Sequence, residues 1–194
     1  MINDEIANAI VSRELDLNRF DADLRKRVVK LLKELDDDVT AKLKGNISDW
    51  NKARLNALLK DIKEIVNKYY SDLNQFTQTD LQGVAKSEAK FMQSMISEKV
   101  GVDLFNVMPS ANQLAVLADS SAIQGATTAQ WWQKQSADVY FRVSSQIRMG
   151  YGSGEKIGTI ADRVQGQMAV TRRNAEALVR TAVHTISSQA RERM

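Results

Sequence analysis

The chain has 194 residues, of which 43% are hydrophobic; it carries one Pro, nine Gly and no Cys, and its formal net charge is +3. So few helix breakers favour long helices over a sheet with many turns, and the lack of Cys excludes a disulfide framework, a thiolate zinc site and a cysteine nucleophile. No apolar run reaches the length needed to cross a bilayer, and the opening MINDEIANAIVSRELD is too charged for a secretory signal.

Taken in order, Ile2, Ile6, Ala9 and Ile10 predict a short first helix. A second series follows at Leu17, Phe20, Leu24, Val28, Leu31, Leu35, Val39 and Leu43, with gaps of three and four sustained for about four heptads, the spacing of a helical hairpin or coiled-coil seam. Asp16 is a candidate cap before it, and Gly45-Asn46 tolerates the left-handed conformation that ends a helix. Ser48 then opens a helix whose stripe is Trp50, Leu55, Leu58, Ile62, Ile65, Tyr69, Leu73 and Phe76, continuing through Leu81, Val84, Phe91, Met95 and Ile96. Only Gly83 interrupts it. Unbroken, it is about fifty residues long, or roughly 75 Å; a break near Gln78–Gly83 is the alternative. Because a single globule of this size is only about 30–40 Å across, residues 1–100 read as an elongated hairpin.

Gly101 and Pro109 bracket a joint, and Ser110 caps a short helix over Leu114 to Ala118, so 101–127 is a linker with one short helix. Thr127 or Thr128 caps the next, which carries Trp131, Trp132, Val139, Tyr140, Val143 and Ile147 and stops in a loop that Gly150, Gly152 and Gly154 make bendable. Glu155 to Val164 is a short helix ended by Gly166. The last helix runs from Thr171, its candidate N-cap, with Ala175, Leu178, Ala182, Val183, Ile186 and Ala190 as core stripe. Arg172, Arg173, Arg180, Arg191 and Arg193 lie elsewhere on that wheel. The pattern runs to Met194 without a C-cap, as expected of the front part of something longer. The fold class that follows is all-α: an elongated helical hairpin or coiled coil, then a smaller helical bundle over 128–194.

From Tyr140 onward there are nine Lys/Arg against four Asp/Glu, whereas residues 1–139 carry eighteen against twenty. A basic end suits DNA or an acidic protein surface; a solvated helix face accounts for the same counts.

The chemistry-bearing residues form no catalytic constellation. His184 is the only histidine and reads as a surface or packing side chain. Gly150 to Gly154 lacks the Lys-Ser/Thr of a P-loop, and Glu155 behind it repels phosphate. Asp36-Asp37-Asp38 lacks the spaced ligands of a calcium loop and reads as a solvated patch. Trp131 and Trp132 are turned about 100° apart on their helix, so one faces the core and the other packs elsewhere or anchors a partner. No catalytic, cofactor-binding or metal-binding residue is assigned, and no enzyme activity is expected.

One resemblance rests on wording rather than composition. The string AQWWQKQSADVYFRVSSQIRMGYGSGEKIGTIADRVQG, then VTRRNAEALVRTAVHTISSQARERM, resembles the phage Mu F-like minor head proteins, or phage head morphogenesis proteins. The matching positions are Trp131, Trp132, Gly150 to Gly154, Ile157, Ile160, Thr171, Ala175, Ala177, Arg180 and Thr181, over roughly residues 110–194. Where many members have Arg-Thr-Glu, this chain has Arg180-Thr181-Ala182, and the compact Cys-, Asp- and Arg-containing region that usually follows is not in the sequence. The resemblance implies a virion structural protein inside the capsid near the portal vertex, present in several copies and made in the host cytoplasm. It would partner portal protein, the major capsid protein and packaged double-stranded DNA, with no membrane in the mature head and no cofactor. Its role would lie in head morphogenesis, genome packaging or ejection. Arg172, Arg173, Arg180, Arg191 and Arg193 are then the candidate contacts to DNA or an acidic partner, and Trp131 and Trp132 the candidate docking or packing residues. Two other readings stand beside it: a DNA-binding internal protein ejected with the genome, and the front half of an enzyme or toxin active beyond Met194.

Overall fold

The computed structural model describes residues 2–45, 51–100 and 109–193. Among them the chain is all-α, with helices α1 (Ile2–Lys44), α2 (Lys52–Val100), α3 (Ala111–Ser120), α4 (Thr128–Gly152) and α5 (Ile157–Glu192). The sole extended feature among these residues is an isolated bridge between Ile123 and Ala126 across a turn at Gln124-Gly125.

Two expected boundaries do not exist, and the alternative break near Gln78–Gly83 does not occur. α1 runs through Asp16, which is exposed and pairs with Arg19 at 3.3 Å instead of capping a second helix. Nothing between Ala9 and Leu17 breaks a helix, so the two short patterns merge. α2 is continuous through Gly83, where an added Cβ would meet nothing within 4 Å. α5 likewise runs through Gly166, so the expected helix over Glu155 to Val164 and the terminal helix are one. Thr171 is buried in its interior and caps nothing. A helical glycine costs only about 1 kcal/mol relative to Ala. The buried row Val164, Met168, Thr171, Ala175, Leu178 and Ala182, spaced by fours and threes, outweighs it.

Real caps are local. Ser110 accepts from the Gln113 amide while the Gln113 side chain accepts from the Ser110 amide, a complete capping box for α3. Asn51 caps α2 by accepting from the Arg54 amide at 2.9 Å. The expected opening at Ser48, the stripe position Trp50, Asn46, and the joint at Gly101 all lie outside the described residues. α1 ends at Lys44 with Gly45 next, as expected.

The core rows drift from the expected ones. Leu32 is buried and Leu31 half-buried; Val66 and Tyr70 are buried while Ile65 and Tyr69 are half-buried. A straight helix turns every 3.6 residues, so a strict heptad extrapolation slips by one position after several turns.

The chain packs as two compact units, each drawn from separate stretches of the sequence. One comprises Met1–Lys26, Gln75–Ala129 and Leu178–Met194; the other comprises Arg27–Asn74 and Gln130–Ala177. Unit 1 buries Leu17 and Leu24 of α1, Leu81, Val84 and Ala89 of α2, Leu114 and Leu117 of α3, and Val179, Ala182, Val183, Ile186 and Ala190 of α5. Unit 2 is built on Val28, Leu32, Leu35 and Val39 of α1, Leu58, Ile62, Val66 and Leu73 of α2, Val139, Val143 and Ile147 of α4, and Ile160, Val164 and Met168 of α5.

Candidate interaction surfaces

The glycine-rich turn of unit 2 has a packing purpose. Gly150, in the last turns of α4, is buried, and a Cβ there would lie 2.4 Å from Cγ1 of Ile160 on α5. Only hydrogen fits, so the two helices approach closely at this point. Gly154 sits at φ +65, a conformation that glycine adopts without strain. Glu155 closes the turn: its amide donates to the Gly150 carbonyl at 2.9 Å and its carboxylate pairs with Arg163. The expected "bendable" loop is a tight, hydrogen-bonded corner.

The two tryptophans separate as the helical wheel requires. Trp132 is 1% exposed and packs at a tilt against Tyr70, ring centroids 6.2 Å apart. Trp131 is half-buried, with the Lys134 ammonium 5.1 Å from its ring centroid. Burial pushes the Tyr70 phenol well above its ordinary range.

The five arginines also divide. In unit 2, Arg172 turns inward, its Nη1 3.4 Å from Asp36 Oδ2, while Arg173 is exposed. In unit 1, Arg180 and Arg193 are exposed, whereas Arg191 is held at both ends: Nε donates to Glu88 at 2.7 Å and Nη1 to Glu14 at 2.6 Å. Burial alone would lower the Arg191 pKa, but these bonds outweigh it and hold the guanidinium firmly charged. The surface candidates therefore reduce to Arg173, Arg180 and Arg193.

Glu88 is the centre of an ion cluster that the sequence did not disclose. Its side chain is 0% exposed; Oε1 accepts from Arg13 at 2.8 Å and Oε2 from Arg191 at 2.7 Å, so α1, α2 and α5 meet there. Arg13 also donates to Ser87. Two arginines balance Glu88 and Glu14, and every one of these contacts spans at least 74 positions. The only local sign was a pair of charged residues, Arg13 and Glu88, at core-facing spacing on their helices.

The acidic run over Asp36 to Asp38 is not a uniformly solvated patch. Asp36 is 5% exposed, and its Oδ1 has no hydrogen-bond partner. Desolvation raises its pKa above 3.8 despite the opposing pull of Arg172. Asp38 remains exposed and accepts from the Tyr69 hydroxyl at 2.7 Å. Burial, reinforced by that bond, pushes the Tyr69 phenol up to about 12.

Among the described residues no group of three or more His, Cys, Asp or Glu side chains is placed to hold a metal ion, and His184 is exposed. No helix among them is long and apolar enough to cross a membrane. Compared with known proteins, the chain matches no family model, no curated protein and no solved structure.

Proposed function

We propose that this protein is a structural component of a phage head, of the Mu F-like minor head type, bound to portal protein or the inner capsid and performing no chemistry of its own. One observation supports the reading: three residues of the resemblance, Trp132, Gly150 and Ile160, are buried within unit 2, while Arg180 and Thr181 belong to unit 1. Trp132 is buried in the core of unit 2, and the glycine-rich turn brings Gly150 against Ile160 so that α4 and α5 approach closely there. Trp132, Gly150 and Ile160 thus each have a packing reason. Helix-in-groove docking is one route by which such a helical protein would meet portal subunits. Exposed Arg173, Arg180 and Arg193 supply charge for packaged DNA, where phosphate contacts need no base reading.

The test is a binding experiment with purified full chain, portal protein from the same phage, and duplex DNA. Portal binding that survives high salt is the expected result. DNA binding alone, with a steep salt dependence, shifts the reading to an internal DNA-associated protein. Binding to neither overturns both.

A further inference from the structure

In unit 2, helix α2 distributes its charges unevenly between its two flanks. Its carboxylates Asp61 and Asp72 lie toward α1: Asp61 pairs with Lys42 at 2.7 Å, and Asp72 acts on the Tyr69 phenol together with Asp38 and Glu34. The other flank meets α4, where Asn67 faces Ser136 at 3.2 Å and the Lys63 ammonium stands 5.7 Å from the Tyr140 ring centroid. Along it run Lys52, Asn56, Lys60, Lys63, Asn67 and Ser71, all exposed. Their gaps of four, four, three, four and four keep side chains in one row on a helix.

Across these two contacts residue numbers rise on α2 as they fall on α4, so the helices are antiparallel. That register sets Arg148 level with the stretch between Lys52 and Lys60, and Phe141 level with the stretch between Lys60 and Lys63. On α4, Lys134, Phe141 and Arg148 recur every seven residues and share a stripe about 21 Å long at 1.5 Å per residue. All three are exposed, and Phe141, at 71%, is the most exposed large hydrophobic side chain among the described residues. Two exposed carboxylates stand near this face. Glu64 lies 4.0 Å from Lys60, and Asp138 is one turn from Arg142, with which it acts in the opposite sense on the Tyr70 phenol. Past the end of α4, Glu155 is paired with Arg163. Lys52, Lys60, Lys63, Lys134 and Arg148 outnumber these acids and leave the face cationic.

We infer that this α2–α4 face binds single-stranded nucleic acid, its cations following the phosphate backbone and Phe141 stacking on an unpaired base. Positive charge calls for a polyanion. The amides and hydroxyl of Asn56, Asn67 and Ser71, interleaved with the lysines, can donate to phosphate oxygens without reading sequence. Phe141 selects the unpaired strand: in a duplex each base face is covered by its neighbours, whereas a free base of any kind offers its face to an aromatic ring. A membrane surface calls instead for a broad apolar face to bury, and one exposed Phe does not make one. The inference does not rest on the proposed binding to portal protein, and its residues are other than Arg173, Arg180 and Arg193.

Fluorescence anisotropy of the full chain with a labelled oligothymidylate and with a duplex of equal length, over a salt series, tests it; co-sedimentation with phosphatidylserine vesicles is the third arm. The expected result is tighter binding of the single strand than of the duplex. The triple variant Lys60→Gln, Lys63→Gln, Arg148→Gln should lower that affinity and cut the slope of log affinity against log salt by about 2, at about 0.7 per phosphate contact. Phe141→Ala should weaken the single-strand complex about tenfold and leave the salt slope unchanged, and Phe141→Trp should restore binding. All four positions are exposed, so circular dichroism should stay the same. No binding of the oligothymidylate, a duplex bound as tightly as the single strand, binding to vesicles alone, or a single-strand affinity that ignores either variant overturns the inference. Failure to bind portal protein, read in its own assay, overturns the proposed function and leaves this inference standing.

Discussion

The two units solve the problem of burying helices differently. Unit 1 places a full ion cluster, Arg13, Glu14, Glu88 and Arg191, where its three long helices meet. Unit 2 fills its interior with Trp132, Tyr70 and large aliphatics and admits one carboxylate, Asp36, half-satisfied by Arg172. The surfaces differ as well. Within the ranges of unit 1 there are ten Lys/Arg and twelve Asp/Glu; within those of unit 2, seventeen and twelve. The basic excess of the last quarter thus falls within a unit that Arg27–Asn74 also makes basic, ten Lys/Arg against eight Asp/Glu. A buried charge network ties helices at one defined register but gives little net stability, whereas an apolar core gives stability with less discrimination.

The sharpest way to break this contrast is Glu88→Ala. It strands Arg13 and Arg191 without their shared partner and is expected to cost about 3–5 kcal/mol. All three tryptophans fall within the ranges of unit 2. In a urea titration the far-ultraviolet circular dichroism midpoint should therefore fall more than the tryptophan fluorescence midpoint. Coincident midpoints would make the two units one cooperative block.

Next in size is a pair of glycine substitutions. Gly150→Ala pushes a methyl group into Ile160 in unit 2 and is expected to destabilise by about 1–3 kcal/mol. Gly83→Ala, in unit 1, meets only open space in a helix interior and should stabilise by about 0.5–1 kcal/mol. Thermal melts of the two variants should move in opposite directions; a shared direction would show that one of the two environments is misjudged.

A smaller effect is expected from Asp36→Asn. Because the folded pKa of Asp36 lies above 3.8, the native state binds its proton more readily than the unfolded chain does. Asp36 therefore opposes folding above that raised pKa, and its opposition fades as pH falls through it. Wild-type stability should carry a component that declines as pH rises from about 3.8 through the folded pKa, and the variant should lack it. Paired melts across that window measure the difference.

The smallest signal is optical. Tyr69, raised to about 12, and Tyr70, raised further by burial, should ionise late in an alkaline absorbance titration. Each favours folding in its protonated form, so stability should be lost as pH climbs from 10 towards 12. Tyr69→Phe should remove one late step and leave the other.

Much of the fold could be read before any coordinates were known. Ser110 with Gln113 is a capping signature within four residues, and it forms; Gly45 after Lys44 marks the end of α1. The missed features share a cause. Asp16, Gly166 and Thr171 are residue types that usually punctuate helices, yet each lies inside one, because rows of buried side chains on both flanks are continuous through it. Of the candidate contact residues, Arg173, Arg180 and Arg193 are at the surface as their wheel positions suggested. Arg172 and Arg191 are drawn inward by carboxylates 136 and 103 positions away, which no local pattern reveals.

Composition and periodicity by themselves determined that this protein is helical and roughly where its long helices lie, because scarcity of breakers and a three-to-four repeat act within a few turns of chain. Tertiary structure alone decided which helices merge, that Gly150 must be a glycine, that Asp36 is buried, and which arginines remain at the surface. Those outcomes depend on what stands opposite a residue in space, and a helix of 49 residues brings distant parts of the sequence opposite one another.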